Sequence, residues 1–263
     1  MIDRLDKLYT QDKNKLYRDI WDHQKKHNTT LINFLYFANV VKNHLPNRKK
    51  TIEQKTYYNN LINSDFLLPD GIALQTFYKV AYKLWYIPTE KIPNLNGTDF
   101  VPYFLEKAKK EKKKILIHLY GASDQTLQKS KEYFKQYGQI GYTHHGYGNL
   151  DDKEIQELVQ KLSPTHTNIL LIGRGTPIQE NRANKYKNFL PNTMIFTVGW
   201  LFDFMTGLET RAPKRMRGRG EWLYRLITKP KKNASKVRYT LGWIPYTFRH
   251  LLLKRLTDSI RSR

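Results

Sequence analysis

The sequence of 263 residues contains no cysteine, so disulfide bonds, thiol catalysis and cysteine-based metal sites are excluded. It contains no Asp-x-Asp motif, the carboxylate spacing that often holds Mg²⁺ on a phosphorylated ligand. It has no run of 18 apolar residues, and its first six residues lack an apolar core. We therefore expect neither a transmembrane helix nor a signal peptide.

Acidic residues are scarce relative to basic ones. The chain has 46 Lys and Arg against 23 Asp and Glu, which gives a formal net charge of +23. Residues 211–263 alone contain 16 Lys or Arg and 2 acidic residues, with six aromatic residues among them. Such a field attracts nucleic acid, acidic lipid or phosphorylated ligands. Two interpretations of this segment remain open, a solvated basic tail and a surface that contacts an anionic membrane.

Short apolar runs alternate with helical segments along the chain. Strands are predicted at 66–68, 115–120, 140–142, 168–172 and 194–198, and helices at 1–28, 72–85, 99–112, 124–137, 151–162 and 179–189. An apolar helix is predicted from Leu31 to Val41, and a basic loop at Lys49 and Lys50. This alternation predicts an α/β fold in which helices cover both faces of a parallel sheet.

In such a sheet, ligands bind beyond the carboxyl ends of the strands. Asp70 follows the strand at 66–68, either in an ordinary Pro-Asp-Gly turn or as a functional carboxylate. Gly121 follows the strand at 115–120. Its turn either presents backbone N–H groups to a diphosphate or leads into a helix with Asp124 as its N-cap.

Two more motifs follow predicted strands. His144 and His145 are adjacent, and adjacent strand residues point to opposite faces. We therefore favour one buried histidine and one that faces the site over a zinc site. Gln179 and Glu180 begin a predicted helix and are expected to project toward a ligand. The alternative is ordinary helix-start chemistry, because Glu is favoured in the first turn.

Seven motifs, taken in order, resemble the WecG/TagA/CpsF glycosyltransferases (glycosyltransferase family 26). They are Leu67 to Gly71, Gly97 to Asp99, Gly121, His144 to Tyr147, Gly175 to Glu180, Val198 to Asp203, and Arg211 to Lys214 with Glu221 to Leu226. The resemblance runs from about Thr30 to Tyr239. The last pair of segments is its most specific part.

The resemblance implies a Rossmann-like core with a helical, basic C-terminal appendage. It implies inverting transfer of a hexose-type sugar, with N-acetylmannosamine favoured, from a UDP-sugar to an undecaprenyl-diphosphate-linked GlcNAc-type acceptor, without an essential metal or other cofactor. Asp70 matches the catalytic base, Gln179 a residue of the sugar site, and Asn33 the Asn of an early Thr-x-Asn motif. The expected substrate-binding residues are Gly121, His145, Gly146, Thr176, Glu180, Asp203, Arg211, Arg219 and Arg225.

We expect three parts of the chain. Residues 1–112 would carry the acceptor-side loop and the base, residues 113–206 the nucleotide-sugar site, and residues 207–263 an appendage on the inner face of the cell membrane. A glucosyl or uronosyl donor is an alternative, and a homo-oligomer remains open. A basic nucleic-acid-binding protein is the rival from another class, but no nucleic-acid motif is present, so we expect no nucleic-acid partner.

Overall fold

The computed structural model describes residues 7–44, 50–83, 91–147 and 152–210, together with isolated positions after residue 210. The described residues form six strands and nine helices. The strands are β1 (Thr29–Tyr36), β2 (Phe66–Asp70), β3 (Ile115–Gly121), β4 (Gln139–His144), β5 (Thr167–Gly173) and β6 (Thr193–Thr197). The helices are α1 (Lys13–Lys26), α2 (Phe37–His44), α3 (Ile52–Ile62), α4 (Ile72–Lys83), α5 (Gly97–Lys110), α6 (Asp124–Phe134), α7 (Asp152–Gln160), α8 (Ile178–Tyr186) and α9 (Leu201–Met205).

All six strands belong to one parallel sheet with the order β2-β1-β6-β5-β3-β4. Alternate residues of each strand point to opposite faces, and both faces are covered by helices. Helices α1, α5, α6 and α9 pack on one face through a single apolar cluster. Helices α2, α3, α4, α7 and α8 cover the other face through two smaller clusters. The predicted α/β architecture with both faces covered is confirmed.

The predicted apolar helix from Leu31 to Val41 is wrong. Residues Thr29–Tyr36 form β1, and the helix begins only at Phe37. β1 pairs with β2 and β6 on its two edges, and helices cover both of its faces, so it needs no alternation of polar and apolar side chains. A continuous apolar run of this kind fits a buried strand as well as a buried helix.

Helix α3 is absent from the sequence-based prediction, which places only a basic loop at Lys49 and Lys50. The helix begins after Thr51, whose side chain accepts a hydrogen bond from the Gln54 N–H, while the Gln54 side chain accepts one from the Thr51 N–H. This reciprocal pair is a capping box. The spacing of these two residues was therefore a readable signal for the start of the helix.

A buried histidine in β3 forms hydrogen bonds to the two neighbouring strands, β4 and β5. His118 lies in β3 with no exposed surface, and its Nδ1 accepts a hydrogen bond from the Tyr142 N–H at 3.0 Å. Since Nδ1 is an acceptor, the proton lies on Nε2, which donates to Asn168 Oδ1 at 3.1 Å. Burial lowers the pKa of His118, so the ring is held neutral between β4 and β5.

The strands β1 and β2 come from residues 1–112, and β3 to β6 from residues 113–206, yet they form one continuous sheet. The predicted appendage at 207–263 lies almost entirely outside the described residues. Two described positions within it pack on the rest of the chain, since Ala212 is buried and Tyr239 contacts the cluster around α4. Among the described residues, no helix is long and apolar enough to cross a membrane.

Candidate active site

Asp70 is the last residue of β2, beside Tyr36 at the end of β1. Two hydrogen bonds hold the backbone on either side of it. The Leu95 N–H donates to the Pro69 carbonyl at 2.8 Å, and the Gly71 N–H donates to Asn94 Oδ1 at 3.1 Å. The carboxylate is thus positioned at the carboxyl edge of the sheet by a segment that lies just before α5.

Three turns meet where β3, β4 and β5 end. The Ala122 N–H donates to the Gly173 carbonyl at 3.2 Å, and the Gly146 N–H donates to the Ala122 carbonyl at 2.7 Å. Gly121 has a φ of +133°, and a Cβ there would lie 2.4 Å from the Gly173 oxygen. A Cβ on Gly146 would lie 2.8 Å from the Ala122 nitrogen. Only glycine allows these backbones to approach so closely.

The turn at Gly121 leads into α6, whose N-cap is Ser123 rather than the Asp124 of the sequence-based alternative. The Ser123 hydroxyl accepts the Thr126 N–H at 3.3 Å, and Asp124 is the first helical residue. Helix α6 therefore begins at the carboxyl edge of the sheet. The positive end of its dipole lies at this edge, which suits an anionic ligand such as a diphosphate.

Gln179 and Glu180 lie in the first turn of α8, after β5. The Gly199 N–H donates to Gln179 Oε1 at 3.0 Å, and Gln179 Nε2 donates to Glu180 Oε1 at 3.0 Å. Thr176 Oγ1 donates to the same Glu180 oxygen at 2.8 Å. The hydroxyl of Thr176 in turn accepts a hydrogen bond from Asn39 Nδ2 at 3.2 Å. These groups connect α2, α8 and the turn after β6.

This network is buried. Gln179 is 5% exposed and Glu180 is 0% exposed. Burial raises the pKa of Glu180, while the hydrogen bonds from Gln179 and Thr176 oppose that increase. Tyr57 of α3 lies beside the network at 2% exposure, and burial raises the pKa of its hydroxyl well above the usual value. Glu180 and Asp70 both add to that increase, so Tyr57 lies within electrostatic range of both carboxyl groups.

Asn33 is buried at the level where β6 ends. It is three residues before the end of β1 and has no exposed surface. Its Nδ2 donates to the Asn60 carbonyl at 3.2 Å, and its Oδ1 accepts from Thr197 Oγ1 at 2.9 Å. The structure therefore brings Asp70, Gln179 and the glycine turns to one edge but places Asn33 inside the fold, between β6 and α3.

The two adjacent histidines differ in their partners. His144 ends β4 and is half-buried, with its Nε2 2.6 Å from Glu154 Oε1. His145 follows the strand and accepts the Tyr147 N–H on its Nδ1 at 3.1 Å. Neither histidine is fully buried, in contrast to the sequence-based expectation for one of them.

Asp203 lies in α9, directly after the turn that contains Gly199, and therefore also follows a strand end. Arg211, Arg219 and Arg225 lie outside the described residues. Within the described ranges, no three His, Asp or Glu side chains are grouped so as to hold a metal ion.

Sequence analysis did not assign a functional role to three residues that contact this edge. They are Asn39, Tyr57 and Asn94, which come from α2, α3 and the segment before α5. None lies in a strand-end turn, so no local signal assigned them to the site. Only the folded sheet brings them to the residues that follow β2 and β5.

Taken together, the edge offers a carboxylate, a buried carboxamide and close-packed backbone turns at the ends of parallel strands. A carboxylate can accept a proton from an attacking hydroxyl, and backbone N–H groups at a helix start can bind a phosphorylated leaving group. The arrangement therefore fits group transfer from a phosphorylated donor.

Comparison with known proteins also indicates group transfer. The chain is 29% identical to an N-acetylglucosaminyldiphosphoundecaprenol N-acetyl-beta-D-mannosaminyltransferase from Bacillus spizizenii over 69% of this chain and 67% of that protein. It is 27% identical to a protein of the same name from Bacillus subtilis over 72% of each chain. A family model described as Glycosyl transferase WecG/TagA/CpsF family matches residues 12–260. The chain therefore belongs to the WecG/TagA/CpsF glycosyltransferase family.

Proposed function

We propose that this glycosyltransferase moves N-acetylmannosamine from a UDP-sugar to GlcNAc carried on undecaprenyl diphosphate, with inversion at the anomeric carbon. The names of the two Bacillus relatives support both the sugar and the acceptor. The observation that carries the proposal is the position of Asp70 and Gln179 at the same carboxyl edge of the sheet in a chain of this family.

The proposed reaction is a single displacement. Asp70 takes the proton of the acceptor hydroxyl as that oxygen attacks the anomeric carbon. A new carbon–oxygen bond forms on one face of the sugar while the bond to the diphosphate breaks on the other. UDP leaves with the bonding electron pair, and a β-linked product results from an α-linked donor.

The leaving diphosphate gains negative charge as its bond to the sugar breaks, so the site must supply positive groups. In the proposal, the turn at Gly121 and the first turn of α6 that follows it provide backbone N–H groups for the diphosphate, and Gly146 packs against that turn. Arg211, Arg219 and Arg225 provide cations from the chain after residue 210. Because these groups neutralise the diphosphate, the proposed reaction needs no metal ion.

The carboxamide of Gln179 is proposed to contact the donor sugar. Its Oε1 and Nε2 each make one hydrogen bond within the protein, to Gly199 and Glu180. A carboxamide oxygen has a second lone pair and the nitrogen a second hydrogen, so one acceptor and one donor remain for a sugar. Thr176, His145 and Asp203 complete the proposed substrate contacts around it.

Residues 207–263 are proposed to bring the protein to the inner face of the cell membrane, where a lipid-linked acceptor is found. The support is the concentration of Lys and Arg with interfacial aromatic residues in this segment. In the stretch from Tyr246 to Leu256, Phe248, Leu252 and Leu256 recur at helical spacing. A basic, loosely amphipathic helix with aromatic residues suits the surface of an anionic bilayer.

A donor screen tests the proposal. The purified chain is incubated with a lipid-diphosphate-GlcNAc analogue and a panel of UDP-sugars, and the products are identified by mass spectrometry. We expect turnover with UDP-N-acetylmannosamine and a β-linkage in the product. Turnover only with a glucosyl or uronosyl donor would replace the sugar but keep the reaction. No transfer from any UDP-sugar would refute the proposed function.

A further inference from the structure

Glu180 is a carboxyl group enclosed in the protein at the edge of the sheet. It has 0% exposure and lies one residue after Gln179 in the first turn of α8. Within the described part of the chain, its carboxyl group forms no ion pair. Removing an ionised carboxylate from water without a cation is strongly unfavourable. An ion pair therefore does not explain why the carboxyl group of Glu180 is buried here.

The hydrogen bonds define which atom of each group donates. The Gly199 N–H can only donate, so the Gln179 atom that it meets must be Oε1. Gln179 Nε2 then faces Glu180 Oε1, which must accept. Thr176 Oγ1 accepts from Asn39 Nδ2, so its own hydrogen is directed to the same Glu180 oxygen. The direction of every bond follows from one backbone N–H.

The two oxygens of Glu180 are consequently unlike. Oε1 accepts two hydrogen bonds, whereas Oε2 is buried and has no hydrogen-bond partner among the described residues. A carboxylic acid has this asymmetry, because one oxygen is a carbonyl acceptor and the other carries the proton. The hydroxyl of Tyr57 is a second buried polar group, and it lies near Thr176 and Glu180.

Burial and hydrogen bonding act in opposite directions on Glu180. The hydrogen bonds from Gln179 and Thr176 favour its charged form, but no described cation pairs with it, and the nearby Tyr57 of α3 is a neutral phenol. Arg182 lies two residues along α8, but its buried Nε has no hydrogen-bond partner among the described residues. Burial raises the pKa of Glu180, in agreement with this arrangement.

We propose that Glu180, in place of the substrate contact that the family resemblance implies, is a positioning residue that does not touch the substrate. It is held as a neutral acid with its proton on Oε2 and fixes the carboxamide of Gln179. This inference rests on the proposed function, because it assigns Gln179 to the donor sugar. With Oε1 of Glu180 as acceptor, Gln179 cannot rotate by half a turn without losing both of its hydrogen bonds. A neutral acid does this without adding a negative charge beside a diphosphate.

The first experiment compares Glu180→Gln with Glu180→Ala. Glutamine keeps a carbonyl oxygen in the place of Oε1 and is always neutral, whereas alanine removes the acceptor. We expect Glu180→Gln to keep kcat within about threefold of the native chain, and Glu180→Ala to lose about 10- to 100-fold, because two buried donors lose their acceptor. The affinity for UDP, measured by calorimetry, should be unchanged in Glu180→Gln. The matched control is Glu132→Gln, which removes an exposed carboxylate of α6.

The second experiment does not depend on turnover, so it separates this inference from the proposed function. The infrared difference spectrum between the native chain and Glu180→Gln at pH 7 should contain the band of a protonated carboxylic acid. The band should be absent from the difference spectrum of the Glu132→Gln control.

Each outcome has a defined meaning. A kcat of Glu180→Gln as low as that of a folded Glu180→Ala, or a tenfold weaker affinity for UDP, would show that the acid acts directly on the donor. Absence of the protonated band would show that the buried group is ionised. Either result overturns the inference. An inactive native chain with the band present would refute the proposed function and leave the neutral acid intact.

Discussion

The Gly199 N–H donates to Gln179 Oε1 across 3.0 Å, which joins the turn after β6 to the first turn of α8. The two residues are 20 positions apart in the chain. Gly199 has a φ of +54°, so its N–H is held by a backbone conformation that L side chains rarely adopt. The orientation of the carboxamide is therefore set by the backbone of the neighbouring strand end and not by α8 alone.

Replacing Gln179 by alanine should affect transfer more than folding. The change removes the proposed contact with the sugar. It also leaves the Gly199 N–H without its acceptor, which lowers the free energy of unfolding by about 1–3 kcal/mol. We expect kcat to fall by about tenfold or more while the chain remains folded by circular dichroism. Gln128→Ala, at an exposed position of α6, is the control. Unchanged kcat in Gln179→Ala would remove this residue from the site.

Asp70→Asn tests the base. The amide keeps nearly the same shape at the end of β2 but cannot take a proton from the acceptor hydroxyl. Turnover should fall by about 10²–10⁴-fold, the usual scale for loss of a general base, with little change in UDP affinity. Asp22→Asn, which removes an exposed carboxylate of α1, should have native turnover. Near-native turnover of Asp70→Asn would refute the assignment.

Metal removal tests how the diphosphate is held. If backbone N–H groups and arginines neutralise it, turnover should persist in excess EDTA at the native rate. The measurement is the initial rate before and after chelation, with Mg²⁺ or Mn²⁺ added back. A complete loss that either ion restores would mean that a cation binds the diphosphate.

Membrane association should depend on lipid charge and on salt. Each Lys or Arg near an anionic bilayer contributes on the order of 1 kcal/mol, so a few residues of the segment 207–263 would give useful affinity. We expect the full chain to sediment with vesicles rich in phosphatidylglycerol, and less so at high salt. Vesicles of phosphatidylcholine alone are the control. Equal recovery with both vesicle types at low salt would contradict an electrostatic role of the segment.

The buried imidazole of His118 predicts loss of stability in acid. Its pKa is lowered in the folded chain, so the unfolded chain binds a proton first as the pH falls through its usual value of about 6.5. The stabilisation is fully present above that pH. Below it, the free energy of unfolding should decrease by up to about 1.4 kcal/mol per pH unit until the folded ring also becomes protonated.

Chemical denaturation between pH 5 and pH 8 measures this effect, with the native chain compared to His118→Gln. The variant should be less stable at pH 8 and should have a shallower dependence on pH. His166, a partly exposed histidine before β5, provides the matched control in His166→Gln. An unchanged slope in His118→Gln would show that other groups cause the acid sensitivity.

Sequence patterns predicted the strands that end in a glycine or a turn signature, namely β2, β3 and β5, and they also predicted β4 and β6. They failed at β1, where pairing with β2 and β6 decides between strand and helix for a run of apolar residues. For the site, position after a strand predicted the location of Asp70 and Gln179. The network of Tyr57 and Asn39 could not be predicted, because it depends on how α2 and α3 pack against α8.

The order of the strands has a consequence for how the chain acquires its fold. Among the described residues β6 is the last strand, yet it lies in the middle of the sheet, between β1 and β5. Until residues 193–197 have been synthesised, β1 with β2 and β5 with β3 and β4 are separate groups of strands. The last strand joins them, so the sheet closes late during synthesis and through contacts distant in sequence, which are slow to form.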